Sequence, residues 1–220
     1  QNFTKHQDQY WYVFRAPLTD SIFLGKSKID GTSSHNPKLI LKGGEVCGLR
    51  YYKNYRFLLL SKYLTPPDSL YFGYLLQEID TLGNVYWERR FEDRTIKDFQ
   101  VLADHDILLL TRFREIQNDS QYFAVTRLGT RGEEFQTQFY GNWRDVPESL
   151  HILNQQEFVA VGSQTQFLGL DIPPSSIFLV RARFPQKIPA SSLSQSIPFI
   201  DLVHIYPNPT KGRVWIKHEL

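Results

Sequence analysis

Four stretches of this 220-residue chain carry residue types that can do chemistry. Asp104-His105-Asp106 sets two carboxylates around an imidazole, the donor types of a metal centre or an acid–base pair. Arg50-Tyr51-Tyr52-Lys53-Asn54-Tyr55-Arg56 interleaves aromatic and basic side chains, the composition that stacks sugars or bases. Asp80, Gly83, Asn84 and Trp87 place a carboxylate, a flexible backbone position, an amide and an indole at fixed spacing. Near the end of the chain, Tyr206-Pro207-Asn208-Pro209 followed by Gly212 brackets an asparagine between two prolines.

Three of these have a plainer structural reading, which the elements around them decide. Asp104-His105-Asp106 lies between two apolar runs, and the corresponding positions elsewhere read Lys53-Asn54-Tyr55-Arg56 and Asn154-Gln155-Gln156-Glu157, so it is expected to be a polar hairpin tip. Two carboxylates and one imidazole without further ligands make a weak metal site, and none of the six histidines shows ligand spacing. Asp80 can accept backbone N–H groups in a turn, Gly83 can supply a positive φ, and Trp87 can fill space between sheets. The next unit carries Gly129, Gly132 and Gln136 instead, so the motif builds no ring of carboxylates. The Arg50–Arg56 run is expected to be a hairpin with a solvated tip, with a ligand-contacting surface as the alternative. There is no nucleophile elbow, phosphate-cradling glycine loop or carboxylate pair with a clear role. The expectation is a non-enzymatic protein with no catalytic, metal or cofactor-binding residue and no cofactor.

Composition bounds the partners. The chain is 41% hydrophobic and 15% aromatic, enough for a sizeable core. Lys plus Arg number 25 against 23 Asp plus Glu, and a net charge of +2 gives no reason to expect nucleic acid. The lone Cys47 can form no internal disulfide and is expected to be a small buried residue. The longest apolar run, Phe57 to Leu60, is strand-sized and far short of the ~20 residues of a membrane helix. With no Met in the chain, residues are expected to precede Gln1, removed as a secretory signal peptide or cut off by a fragment boundary.

The elements that must carry these stretches repeat. Ile29-Asp30 recurs as Ile79-Asp80 and Gly83 as Gly132, each about fifty residues on. At the same spacing of about fifty, the run from Phe57 to Ser61 recurs at Ile107 to Thr111 and again at Phe158 to Gly162. Gln9 to Arg15 matches Tyr55 to Ser61, and Ser176 to Arg183 matches Ser21 to Lys28, so the ends read as half-repeats around three full units. A four-stranded unit of about fifty residues fits a β-propeller blade, whose faces are covered by its neighbours. The fold expected is therefore all-β, with the two half-repeats able to merge on ring closure. Strands are predicted over 9–15, 21–29, 55–61, 71–79, 85–91, 99–103, 107–113, 122–128, 134–140, 149–153, 157–162 and 176–183, with almost no helix.

Three segments follow: the propeller over 1–184, a Pro- and Ser-rich linker over 185–198, and a tail over 199–220. The tail reads as a strand from Asp201 to Tyr206, a proline turn and a second strand from Arg213 to Lys217. Ile205 to Ile216 closely resembles the start of the type A C-terminal sorting domain of the Bacteroidota type IX secretion system. The resemblance implies that Tyr206, Pro207, Asn208, Pro209 and Gly212 open a small β-sandwich, which an outer-membrane translocon recognises and a sortase removes. Asp80, Gly83, Asn84 and Trp87 also resemble propeller-like repeats of secreted proteins of that phylum. The reading that results is an exported binding or interaction protein at the outer-membrane surface or outside the cell, with a protein or glycan ligand. A carbohydrate- or peptide-active enzyme on the same scaffold, and a component or passenger bound to the translocon, are the alternatives.

Overall fold

The computed structural model describes residues 3–16, 21–30, 32, 37–42, 44–64, 72–114, 121–140, 145–164, 176–185, 187, 200–207 and 214–219. Every regular element among them is a β-strand, and none forms a helix long and apolar enough to cross a membrane. The strands fall into four sheets, each an antiparallel meander of strands consecutive in sequence.

The first sheet is β1 (Phe3–His6), β2 (Gln9–Ala16), β3 (Ser21–Lys28) and β4 (Lys38–Lys42). The second is β5 (Glu45–Lys53), β6 (Arg56–Leu64), β7 (Phe72–Asp80) and β8 (Val85–Phe91). The third is β9 (Arg94–Val101), β10 (Ile107–Arg114), β11 (Gln121–Leu128) and β12 (Glu134–Tyr140). The fourth is β13 (Asp145–Ile152), β14 (Glu157–Gln164), β15 (Ser176–Arg183), β16 (Ile200–Pro207) and β17 (Val214–Glu219). By backbone compactness the chain divides into one unit over 1–95 and a second over 96–220.

The predicted strands are present, but the phase of the repeat is different. The four strands predicted over 71–113 do not share one sheet: β7 and β8 close the second sheet, and β9 and β10 open the third. Nor are the chain ends half-repeats. Strand β2 is the second strand of a complete first sheet, and β15 lies between β14 and β16. The strands that the sequence concealed explain the shift. β1 and β4 are short, and β5 breaks its alternation with register shifts at Val46/Gly48 and at Tyr51/Lys53, so its period of two is lost.

Apolar side chains that alternate along the strands form one core in each unit. In the first unit Trp11, Val13, Ile22 and Leu24 of the first sheet meet Leu49, Phe57, Leu59 and Ile79 of the second. In the second unit Leu108, Leu110, Phe123 and Val125 meet Phe158, Ala160, Phe178 and Val180. Phe57 to Leu60 and Ile107 to Leu110 are at most 1% exposed, so these second strands are buried on both faces, as their unbroken apolar runs require. Each such side chain stabilises the fold by about 1.5–3 kcal/mol.

First strands lie at sheet edges, where unpaired N–H groups need partners. In each unit a side chain of the preceding sheet's first strand supplies one. Thr4 on β1 accepts the Tyr51 N–H of β5 at 3.3 Å, and Asp98 on β9 accepts the Leu150 N–H of β13 at 3.0 Å. The Gln100 amide donates to the Leu150 carbonyl at 3.0 Å and completes the second stitch.

The tail strands are present and paired, Tyr206 opposite Trp215 and Pro207 opposite Val214. Strand β16 also pairs with β15, from Ile177 opposite Ile205 to Ala182 opposite Ile200. It takes the position that β4, β8 and β12 hold in the other sheets.

Candidate functional site at the hairpin tips

In each sheet the turn between the first two strands lies at the same end as the turn between the third and fourth. The sequence gives this end a repeated diagonal pair of opposite charges. Arg56, at the start of β6, donates to Glu78 of β7 at 2.7 Å. Asp106, just before β10, accepts from Arg127 of β11 at 2.8 Å. Glu157, at the start of β14, accepts from Arg181 of β15 at 2.8 Å. Glu78, Arg127 and Arg181 stand opposite Leu58, Leu108 and Val159, so the three pairs are register-equivalent and the first has its signs reversed. At the equivalent place in the first sheet, Lys26 stands opposite Trp11 and lies over its ring at 5.5 Å.

The Asp80 motif forms the expected turn. Asp80 Oδ1 accepts the N–H groups of Leu82 at 2.8 Å and Asn84 at 2.9 Å, its Oδ2 accepts the Asn84 side-chain amide at 2.8 Å, and Gly83 has φ +84°. Burial acts to raise the Asp80 pKa, and the bonds from Asn84 and the turn N–H groups outweigh it and hold the value below the ordinary one. The third sheet closes the same turn without the aspartate: Gly129 N–H donates to the Glu133 carbonyl at 2.8 Å, Gly132 has φ +78°, and Glu133 accepts the Arg131 N–H at 2.9 Å. Trp87 departs from expectation. It is half-buried rather than enclosed, and its indole N–H donates to Glu78 at 2.6 Å, so it completes the shell of a buried carboxylate.

Asp104-His105-Asp106 is the tip expected of it. Leu102 N–H donates to the Asp106 carbonyl at 2.8 Å, and His105 turns the chain with φ +66°. Arg127 reaches both carboxylates at 2.8 Å, and Lys187 reaches Asp104 at 3.0 Å and Asp106 at 2.9 Å. Asp106 is 2% exposed, so this is a neutralised, partly buried cluster. Burial raises the Asp104 pKa, but the Lys187 bond, the Asp106 N–H and the two cations bring it below its ordinary value. Its carboxylates raise the pKa of Lys187 in return, Asp106 first and Asp104 second.

The Arg50–Arg56 run gives the most distinctive surface. Asn54 and Tyr55 form a two-residue turn with φ +46° and +59°, the mirror-type hairpin turn that ordinarily ends on glycine. The Tyr55 ring, 52% exposed, meets the edge of His6 at 5.3 Å and 87°. His6 stacks on Tyr51 at 3.8 Å and 8°, Tyr51 meets Phe57 at 6.0 Å, and Phe57 meets Trp11 at 5.0 Å. Gln7, itself at φ +54°, donates its side-chain amide to the Tyr55 hydroxyl at 3.2 Å. An aromatic column thus runs from an exposed ring into the core of the first unit. Beside it, the Arg56 guanidinium covers Tyr86 at 3.6 Å, and Lys53 lies 4.5 Å over Tyr52. Sequence reasoning found Tyr51 and Tyr55 but missed His6, which ends the concealed strand β1, and Gln7, in the turn that follows it.

Of the residues read as a sorting signal, Tyr206 and Pro207 end β16, while Asn208, Pro209 and Gly212 lie outside the described residues. Most of the linker, 185–198, lies outside them as well. Cys47 is half-buried rather than enclosed, and burial pushes its thiol pKa up to about 11. Among the described residues no group of three or more His, Cys, Asp or Glu could hold a metal ion.

No family model and no curated protein matches the chain. A solved structure does: the crystal structure of an endo-arabinase from Bacteroides thetaiotaomicron has a TM-score of 0.51 to this chain at 10% identity, over 99% of this chain and 92% of that one. At that identity the likeness is one of fold. Together with the four meanders, it supports a propeller-like all-β architecture for this chain.

Proposed function

We propose that the chain is an exported binding protein. A propeller-like body over 1–184 presents the ledge of His6, Tyr51 and Tyr55 to a ligand outside the cell. A linker over 185–198 leads to a tail over 199–220 that the type IX translocon reads and its sortase trims. The observation that carries the binding reading is the backbone of Tyr55. A non-glycine residue in the left-handed region costs on the order of 1–2 kcal/mol, which glycine avoids in this same turn. Tyr55 is retained there with half its surface in solvent. Strain of this kind is characteristic of positions held for function rather than stability. Tyr55→Gly is the test: the melting temperature should stay level or rise. A fall of more than about 4 °C would make Tyr55 a packing residue. For the tail, deleting 200–220 in a type IX-competent host should leave the protein unexported.

A second reading, a carbohydrate-active enzyme, draws on the fold likeness to an endo-arabinase. Glycoside hydrolysis needs two carboxyl groups about the scissile bond. In the first unit the buried carboxylate Glu78 is engaged by a guanidinium group, and in the second unit so is Asp106. Release of reducing ends from arabinan by the full chain would favour the enzyme.

A further inference from the structure

Resting on the reading of this end of the body as a binding surface, we infer that the ledge takes a neutral carbohydrate, with the Tyr55 ring against the C–H face of one sugar and Gln7 and His6 meeting its hydroxyls. Three observations converge on that chemistry. Of the four non-glycine residues with positive φ among the described residues, Gln7, Asn54 and Tyr55 are all at this ledge, and Gln7 and Tyr55 are hydrogen-bonded to each other. The strain is concentrated where two turns from different sheets meet.

The platform is also preorganised. Tyr55 is braced by His6, His6 by Tyr51, and Tyr51 by Phe57, which is fully buried, so ordering the aromatic ring on binding costs little. An amide, a phenol and an imidazole provide donors and acceptors of the kind that sugar hydroxyls match.

Finally, the nearby cations are engaged. Arg56 is bonded to Glu78 and covers Tyr86, and Lys53 donates to the Tyr52 hydroxyl at 3.4 Å. Polynucleotide binding takes its affinity from cations placed on phosphates. With Arg56 paired to Glu78 and the Lys53 ammonium turned onto the Tyr52 ring and hydroxyl, the aromatic ledge fits a ring with hydroxyls better than a phosphodiester chain.

The test is calorimetric titration of the full chain with neutral arabino-, xylo-, manno- and gluco-oligosaccharides, and with poly(U). At least one oligosaccharide series should bind more tightly than poly(U). Tyr55→Gly should weaken that binding about tenfold or more, and Tyr55→Phe, which keeps the ring and loses the Gln7 bond, only about two- to threefold. Binding by none of the four series, tighter binding of poly(U), or unchanged affinity in Tyr55→Gly overturns the inference. The stability of Tyr55→Gly separates the two levels. If its melting temperature holds while no sugar binds, the carbohydrate assignment alone falls. If the melting temperature drops, the ledge itself is lost as a binding surface.

Discussion

The tips at Lys53–Arg56 and at Asp104–Asp106 hold corresponding places in successive sheets and are built from opposite chemistry. The first carries the cation of its diagonal pair and leaves the anion on the inner strand; the second carries the anion and leaves the cation inside. The first shows an aromatic ring to solvent, and the second draws Arg127 and Lys187 over its carboxylates. The pair as such closes the second and third strands in either polarity, so its sign is free to vary while its position is not. What distinguishes the tips is what remains beyond the pair: an uncovered aromatic column in one unit and a compensated charge cluster in the other.

That comparison can be broken most severely at Arg127. Arg127→Met leaves Asp106 buried with only Lys187 as counter-charge and should cost about 3 kcal/mol in urea denaturation. A loss near zero would mean that the second tip is held by something other than its charges.

Reversing the first pair to the polarity of the second comes next. Arg56→Glu and Glu78→Arg should each lower the melting temperature, and the double variant should recover at least half of the combined loss. Additive losses would show that polarity is fixed after all, as the indole bond from Trp87 to Glu78 would then require.

Acid should sharpen the contrast. Asp104 has a folded pKa below its unfolded value, so its contribution is present above the ordinary aspartate range, near pH 4, and is lost as pH falls through the lowered value. Lys187 has its pKa raised, so its contribution is present at neutral pH and lost only as pH rises through that raised value. Asp104→Asn should therefore flatten the acid limb of stability while leaving the neutral melting temperature closer to that of the variant at pH 3. An unchanged acid limb would remove Asp104 from the clamp.

The smallest effect is expected at the third pair. Arg181 is 52% exposed, and Arg181→Met should not shift the melting temperature measurably. A clear fall would show that the fourth sheet depends on its tip as the third does.

The parts of this architecture that rest on unbroken apolar runs were legible in the sequence. Phe57 to Leu60 and Ile107 to Leu110 announce themselves by length and repetition, and their turns by Asp80, Gly83 and Gly132. Strand β5 was not legible as a strand, because two bulges interrupt its alternation between Val46 and Lys53. Missing it, together with the short β1 and β4, shifted the phase of the repeat. The ledge was half legible: the aromatic run from Tyr51 to Tyr55 is visible, but its partners His6 and Gln7 come from another sheet, and no local periodicity links them. The charge pairs were invisible for a related reason, since their sequence separations of 22, 21 and 24 vary with the length of the intervening loop.

The position of β16 beside β15 has a mechanical consequence. A pull on the chain from its C-terminal side meets the Glu219 end of β17 first, opposite Leu202, and then the Pro207 end of β16, whose pairing with β15 begins at Ile205 opposite Ile177. When the pull runs across the strands, the load in both steps falls on one rung of the ladder at a time, as in opening a zip, instead of being shared across all rungs as in shear. Little force is therefore needed to strip both strands from the fourth sheet, and β13, β14 and β15, with the core residues Phe158 and Phe178, stay together when they leave. A handle at Leu220 in an optical trap should report this as an early, low-force extension of about twenty residues, well before the body yields.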